Sequence, residues 1–383
     1  MVIDRGLRLG HVRGIEVRVN WSVLVIAWLI CWSLAESVLP RLAENYRTGE
    51  YWAAGGVTAV LFFVSLGLHE LGHSVTAQRH GVRVESITLW LFGGVARLGG
   101  PAADARSEWR IAAAGPAVSI AIALAAGAVA AVAALLGASP LVVAAVGWLA
   151  VTNGILAAFN LLPAFPLDGG RLWQAHLWKS LGDRPAATRR AAELGRQIGA
   201  GLIALGVLEA ALADIVGGLW LVVLGWFLRE AAASESAATT AEELLRGHRV
   251  GELMSPNPIV VHADLPVSDL LEREILHHRH STFPVVGADG RVCGLVGLAE
   301  VRATPRESWP RLRTGDIASA ELLLVGVADP VLPTLATLGP VTRRAIVVDP
   351  AGRPVGIVAP SDLSRYLVTL GVIAGTDLPV QAV

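Results

Sequence analysis

Long apolar runs separated by short polar segments occupy the first 230 residues. A run of about 20 apolar residues crosses a lipid bilayer as one helix, so this pattern predicts a bundle of membrane-spanning helices. The last two runs are shorter than that length, and their helices must extend into the polar flanks or tilt little. The six predicted spans are residues 21–38, 53–68, 111–136, 141–162, 198–212 and 215–228.

The segments between these spans carry their own signals. Residues 84–98 alternate between apolar and polar positions and contain Gly93-Gly94, which predicts a small β-hairpin or sheet. The fourth span ends at Pro163 and Pro166, which predicts an unwound segment that is buried in protein or lines a cavity. Residues 184–196 are rich in arginine and are predicted to be a connector.

The pattern changes after residue 230, where small polar residues predict a helix or linker. Residues 284–301 and 345–363 then repeat one order: a strand, an Asp/Gly turn, a second strand, and a helix that opens with an acidic residue. This repeat predicts a paired α/β module attached to a membrane domain. The predicted domains are a membrane domain 1–230, a linker 231–248, and two modules 249–305 and 306–383.

Composition agrees with a polytopic membrane protein that carries a soluble part. The mean hydropathy is +0.56, and 16% of residues are charged, compared with about 25% in soluble proteins. The net charge of −1 gives no reason to expect a nucleic-acid partner. Arginines concentrate in the N-terminal segment and in the connectors 78–110 and 163–196. The positive-inside rule then predicts a multi-pass cell-membrane protein with both termini in the cytoplasm.

The sequence His69-Glu70-Leu71-Gly72-His73 follows the second apolar run directly. Two histidines one helical turn apart can bind one Zn²⁺, and a glutamate beside the first can take a proton from a metal-bound water. There are two alternatives to a zinc site: a chance match to the motif, and two polar residues on an interior helix face. Ionisable groups at membrane depth are costly, and this favours a functional role.

A catalytic zinc needs a third protein ligand. The chain has two cysteines, one in an apolar segment and one in the soluble part, so the ligand must come from histidine or a carboxylate. Asp168 is the only carboxylate between Glu108 and Asp183. Spacing alone leaves two roles open for Asp168, as a metal ligand or as the N-cap of a helix over residues 169–177.

Four stretches together resemble the site-2 protease family of intramembrane zinc metalloproteases: HELGH, FGGVARL, AAAGPAVS and FNLLPAFPLDGGR. The resemblance implies that His69, His73 and Asp168 hold one Zn²⁺ per chain and that Glu70 is the catalytic acid/base. It implies hydrolysis of a peptide bond in or near the transmembrane helix of a single-span membrane protein, and this helix must unwind first. Residues 84–98 resemble the family's membrane-associated β region, which presents a strand edge to the substrate.

Asn160 falls where this family has an asparagine. Its amide is expected to donate to the oxyanion or to an extended substrate strand. A helix-packing hydrogen bond within the membrane is the alternative.

The C-terminal repeat resembles a pair of cystathionine-β-synthase (CBS) domains, at about residues 250–301 and 312–367. Such pairs often bind adenine nucleotides, and the family aspartate that holds the ribose corresponds to Asp362. Ala359 replaces the usual threonine of that pattern, and the first copy has Glu300 in place of the aspartate. A structural module, or one that forms a homodimer, is therefore the alternative to a nucleotide sensor.

Two other functions are alternatives to a protease. A catalytically silent scaffold is disfavoured by the presence of all four residues His69, Glu70, His73 and Asp168. A CBS-gated transporter would place charged groups along several spans, whereas here they cluster at one site. The cluster His277-His278-Arg279-His280 is either a metal site or, as favoured here, a solvated helix end.

Overall fold

The computed structural model describes residues 6–90, 93–278, 282–338 and 344–374. The chain divides into two compact units, Met1–Ser236 and Ala237–Val383. Some parts of the sequence predictions lie outside the described residues. They are residues 1–5 of the predicted membrane domain, Leu91 and Phe92 in the predicted hairpin, Arg279 and His280 in the histidine cluster, and residues 339–343 and 375–383 of the predicted second module.

The first unit contains the predicted helices. Within the described residues, six helices are long and apolar enough to cross a membrane, and they fall where the apolar runs predicted them. The first span, Ser22–Leu42, joins α1 (Ser22–Ser33), a π-helical turn (Leu34–Val38) and α2 (Leu39–Leu42). The others are α3 (Thr48–Arg79), α4 (Ala105–Leu135), α5 (Pro140–Asn160), α7 (Arg184–Leu212) and α8 (Ile215–Leu245), and a shorter helix α6 (Asp168–Leu181) lies between α5 and α7.

The last two spans are longer than their apolar cores. The predicted connector 184–196 is wrong, because these residues form the first turns of α7, a helix of 29 residues. Alanine, arginine, glutamate and glutamine favour the helix there, and Pro185 occupies its first turn, where proline is tolerated. Helix α8 likewise continues to Leu245, so residues 231–245 are helical. Polar flanks therefore lengthen both helices.

A four-stranded sheet packs against the helices of the first unit. The strands are β1 (Gly6–Val12), β2 (Ile15–Asn20), β3 (Val84–Trp90) and β4 (Gly93–Leu98), in that order. The predicted pairing within 84–98 is confirmed, since β3 and β4 are antiparallel. The sequence did not reveal β1 and β2, although β2 pairs in parallel with β3. Ile15 and Ile87 from the sheet, Leu66 and Ala77 from α3, and Ile111 from α4 share one buried core.

The second unit has the predicted repeated order of strands and helices. A three-stranded sheet belongs to the first copy and a four-stranded sheet to the second, and β5 of the first copy pairs with β11 of the second. The strands are β5 (Ser255–Pro256), β6 (Val261–His262), β7 (Thr282–Val286), β8 (Val292–Gly297), β9 (Leu323–Gly326), β10 (Ala345–Val348) and β11 (Pro354–Val358). The helices are α9 (Val250–Leu253), α10 (Val267–Asp269), α11 (Leu298–Ala303), α12 (Thr314–Ile317), α13 (Val331–Thr337) and α14 (Pro360–Ala374). A π-helical turn, Leu270–Ile275, follows α10, and a 3₁₀ turn, Arg306–Ser308, follows α11.

Candidate metal centre

Three side chains from two helices converge on one point. His69 and His73 lie one turn apart on α3, with their Nε2 atoms 3.2 Å from each other. Oδ2 of Asp168, the first residue of α6, lies 3.3 Å from Nε2 of His69 and 3.2 Å from Nε2 of His73. Among the described residues, this is the group of histidines and carboxylates that is close enough to hold a metal ion.

The segment before α6 determines where Asp168 lies. Residues 161–167 are not helical, and Ala164 and Phe165 are buried. Gly169 and Gly170 let the first turn of α6 pack against this segment, since a Cβ on Gly170 would lie 2.7 Å from the backbone nitrogen of Phe165. Leu167 occupies the N-cap position and makes no side-chain cap hydrogen bond. Asp168 is therefore not the helix cap, and its carboxylate faces the two imidazoles.

Groups of helix α4 contact the Nδ1 atoms of both imidazoles. Nδ1 of His73 lies 2.7 Å from the carbonyl oxygen of Ile111, and Nδ1 of His69 lies 2.9 Å from Oγ of Ser119. A carbonyl oxygen can only accept, so Nδ1 of His73 donates. The Nε2 atom of a neutral imidazole then keeps its lone pair, which is the form that binds a metal.

Glycine at position 115 leaves room for the centre. A Cβ at this position of α4 would overlap Nε2 of His73 and lie 2.6 Å from Nε2 of His69. Helix α3 also comes close to α4 at Gly72, where a Cβ would lie 2.9 Å from Cγ2 of Val118. Small residues thus allow the two helices to bring their polar groups together.

The three converging atoms have the spacing of a zinc site. Nitrogen and oxygen ligands about 2.0–2.1 Å from a tetrahedral Zn²⁺ lie about 3.3 Å from one another, which matches the observed 3.2–3.3 Å. Oδ2 of Asp168 is buried and has no hydrogen-bond partner in the described part of the chain. Two nitrogen lone pairs and a carboxylate oxygen repel one another unless a cation or a proton lies between them. The donor set therefore fits Zn²⁺.

Glu70 lies beside this centre and against the sheet. A Cβ on Gly94 of β4 would lie 2.5 Å from Cδ and 2.7 Å from Oε1 of Glu70. No other described residue makes a hydrogen bond with the Glu70 carboxylate, so the group is available to a water molecule. From the sequence, Gly94 is only a turn signal and Ser119 carries no prediction, whereas the structure places Gly94 within β4 against Glu70. Both lie in the stretches FGGVARL and AAAGPAVS, and a serine within an apolar span was the signal for Ser119.

The other predicted site residues are not part of this convergence. The Asn160 amide donates to the carbonyl oxygen of Leu156 in its own helix, 3.0 Å away, and its substrate role stays a prediction. In the histidine cluster, Nε2 of His278 lies 3.4 Å from a carboxylate oxygen of Glu274, one turn away.

Asp362 lies in the second unit and is 5% exposed. Its carboxylate accepts hydrogen bonds from the Ser255 hydroxyl and from the backbone N–H of Ala359, each 2.8 Å long, and from Arg365. A cavity of about 390 Å³ adjoins it. Its lining includes Asn257, Thr282, Phe283, Arg344 and Ile357.

Comparison with known proteins identifies the family. The peptidase family M50 model matches residues 57–140 and 136–206, and the CBS domain model matches residues 250–305. Rip3 of Mycobacterium tuberculosis is 42% identical over 365 residues, which cover 94% of this chain and 92% of Rip3. The chain belongs to the site-2 protease family of zinc metalloproteases, peptidase family M50.

A second relative of this M50 protein, sll0528 of Synechocystis, is 30% identical over 377 residues, 96% of this chain and 97% of the relative. Both relatives are named as zinc metalloproteases. Among solved structures, a site-2 protease from Methanocaldococcus jannaschii matches with 29% identity and a TM-score of 0.41. That match covers 60% of this chain and 95% of the other. The two relatives and the family models show that the protein is a zinc metalloprotease with a multi-helix membrane domain and a CBS-containing α/β region.

Proposed function

We propose that His69, His73 and Asp168 hold one catalytic Zn²⁺ and that Glu70 is the general acid/base. The strongest support is the spacing of the three candidate ligand atoms. Nε2 of His69, Nε2 of His73 and Oδ2 of Asp168 lie 3.2–3.3 Å from one another. The substrate is a single-span membrane protein, and the scissile peptide bond lies in or near its transmembrane helix. The enzyme works in the cell membrane, with both termini in the cytoplasm.

Each group of the site has a task in this mechanism. A Zn²⁺ ion held by His69, His73 and Asp168 would supply Lewis-acid chemistry, with a polarised scissile carbonyl and a lowered pKa for a bound water. Glu70 takes a proton from the attacking water at its carboxylate and later gives it to the leaving amine. Asn160 donates from its amide to the developing oxyanion or to the substrate backbone, after releasing the Leu156 carbonyl.

Strand β4 is the proposed platform for the substrate. A helical peptide bond is shielded by its own hydrogen bonds, so the substrate must become extended before hydrolysis. The edge of a sheet offers unpaired N–H and C=O groups to an extended segment. Strand β4 is an edge strand, and Gly94 within it lies against Glu70. An added substrate strand would therefore pass beside the general base.

Zinc analysis tests the proposed ligands. His73→Ala and Asp168→Ala should each lower zinc from about one ion per chain to a small fraction, because two protein ligands do not hold a catalytic zinc well. His176→Ala is the matched control, since His176 is an exposed histidine of α6 that stacks on Trp173. Wild-type zinc content in both ligand variants would refute the assignment.

A glutamate variant separates metal binding from chemistry. Glu70→Gln should keep zinc and lower cleavage of a model transmembrane substrate by about 10²–10⁴-fold, because the amide cannot take a proton. Glu36→Gln is an isosteric control at a glutamate that accepts a hydrogen bond from Trp52. Cleavage by Glu70→Gln within a few-fold of the control would remove Glu70 from this role.

The second unit is the proposed regulator of proteolysis. We propose that the cavity beside Asp362 binds one adenine nucleotide, because its volume of about 390 Å³ falls within the usual range for small-molecule sites. The ribose hydroxyls would donate to Asp362 in place of Ser255 or Arg365. A homodimer formed through the paired modules is the second proposal for this unit. The domain limits 1–230, 231–248, 249–305 and 306–383 remain part of both proposals.

A further inference from the structure

The side chain of Ser119 contacts the proposed zinc ligand His69 at Nδ1, the ring nitrogen that does not face the metal site. It is fully buried in α4, and its Oγ lies 2.9 Å from Nδ1 of His69. Hydroxyls in the middle of helices commonly bond a carbonyl oxygen of their own helix. Thr58 and Ser65 of α3 follow that rule, bonding Ala54 and Phe62. The Ser119 hydroxyl instead faces a histidine on the neighbouring helix.

Ser119 lies on the face of α4 that packs against the two histidines of α3. Ile111, Gly115 and Ser119 are spaced by four residues and lie on one face of α4. Ile111 contacts His73 through its carbonyl oxygen, Gly115 leaves space for both Nε2 atoms, and Ser119 contacts His69. Each imidazole thus has one partner for its Nδ1 atom, one turn of α4 on either side of the glycine.

We infer that Ser119 is a positioning residue for zinc, acting through His69. The inference rests on the proposed ligand role of His69. The Ser119 hydroxyl accepts the Nδ1–H of His69, which fixes the orientation of the ring and leaves the Nε2 lone pair for the metal. His73 receives the same support from a backbone carbonyl, which side-chain substitution does not remove. The Ser119 contact can therefore be tested by mutation.

Zinc affinity measures this role without reference to proteolysis. The full chain would be purified in detergent and its zinc dissociation constant measured by competition with a chromogenic chelator. Ser119→Ala should weaken zinc binding by about 10–100-fold, as expected for loss of a partner behind a metal ligand. Ser74→Ala is the matched control, because Ser74 is equally buried, adjoins His73, and has no hydrogen-bond partner within the described residues. Its affinity should equal that of the wild type.

A pair of branched variants keeps the test valid if alanine disturbs folding. Ser119→Thr and Ser119→Val have nearly the same shape and differ by the hydroxyl. The threonine variant should bind zinc at least about tenfold more tightly than the valine variant. Equal affinities within this pair, or an affinity of Ser119→Ala equal to that of Ser74→Ala, would overturn the inference. If His73→Ala also loses zinc, those results overturn the role of Ser119 alone. Full zinc in His73→Ala overturns the ligand assignment and this inference with it.

Discussion

At the residue scale, one absent Cβ decides whether the histidines can meet. The methyl group of Gly115→Ala would overlap Nε2 of His73 and lie 2.6 Å from Nε2 of His69. We expect zinc affinity to fall by ~10–100-fold or more, since the imidazoles must rotate away from Asp168. Gly127→Ala is the control in the same helix, where a Cβ would make an ordinary contact of 3.9 Å with Ala150. Chelator competition that gives both variants the wild-type affinity would contradict this account.

Local sequence revealed the centre only in part. His69, Glu70 and His73 fall within five consecutive residues, so their relation follows from the geometry of one helix. Asp168 and His73 approach each other only through tertiary folding, so spacing left the role of Asp168 undecided and the family resemblance was needed. The contacts of Ser119 with His69 and of Gly94 with Glu70 could not be predicted, because a hydroxyl or a missing side chain has no recognisable spacing to its partner.

At the element scale, strand β4 forms one wall of the site. Gly94→Ala should push the Glu70 side chain away, since a Cβ would lie 2.7 Å from Oε1. We expect cleavage to fall by ~10²-fold while zinc content is unchanged, because the general base moves and the ligands do not. Val95→Ala, at an exposed position of the same strand, should cleave at nearly the wild-type rate. Loss of zinc from Gly94→Ala would show instead that the strand supports the metal ligands.

Hydrophobic periodicity predicted the spans better than their ends. Helix α7 begins at Arg184 because alanine and several charged residues also favour helix. A search for apolar runs does not detect such polar helical turns. Strands β1 and β2 were missed, although residues 15–20 alternate and Arg13-Gly14 adopts the positive φ angles of a tight hairpin turn. Isolated hairpins are marginal in water. This one is stabilised by its pairing with β3, a contact between residues distant in sequence.

At the scale of the whole molecule, catalysis and ligand sensing should be separable. A chain ending at Ser236 keeps the first unit, including every proposed zinc ligand. We expect it to retain zinc and basal cleavage. It should bind no ATP, ADP or AMP by calorimetry, whereas the full chain should bind about one nucleotide. Asp362→Ala in the full chain should abolish that binding heat, and Asp349→Ala, at the turn between β10 and β11, should not.

Two results would contradict this separation. A truncated chain without zinc would show that the first unit depends on the second for its fold. Equal nucleotide binding by the full chain and its Asp362→Ala variant would remove Asp362 from the proposed site. The paired modules would then be left with the proposed role in homodimer formation.

The origin of the three ligand atoms has a consequence for the bundle itself. Two come from α3 and the third from the start of α6, which is separated from α3 along the chain by the sheet hairpin and two apolar helices. A bound ion would therefore act as a cross-link that closes a long loop of the polypeptide, much as a disulfide does. Chelation should lower the thermal midpoint of the membrane domain as well as its activity. Metal supply would then control how long the enzyme survives in the membrane.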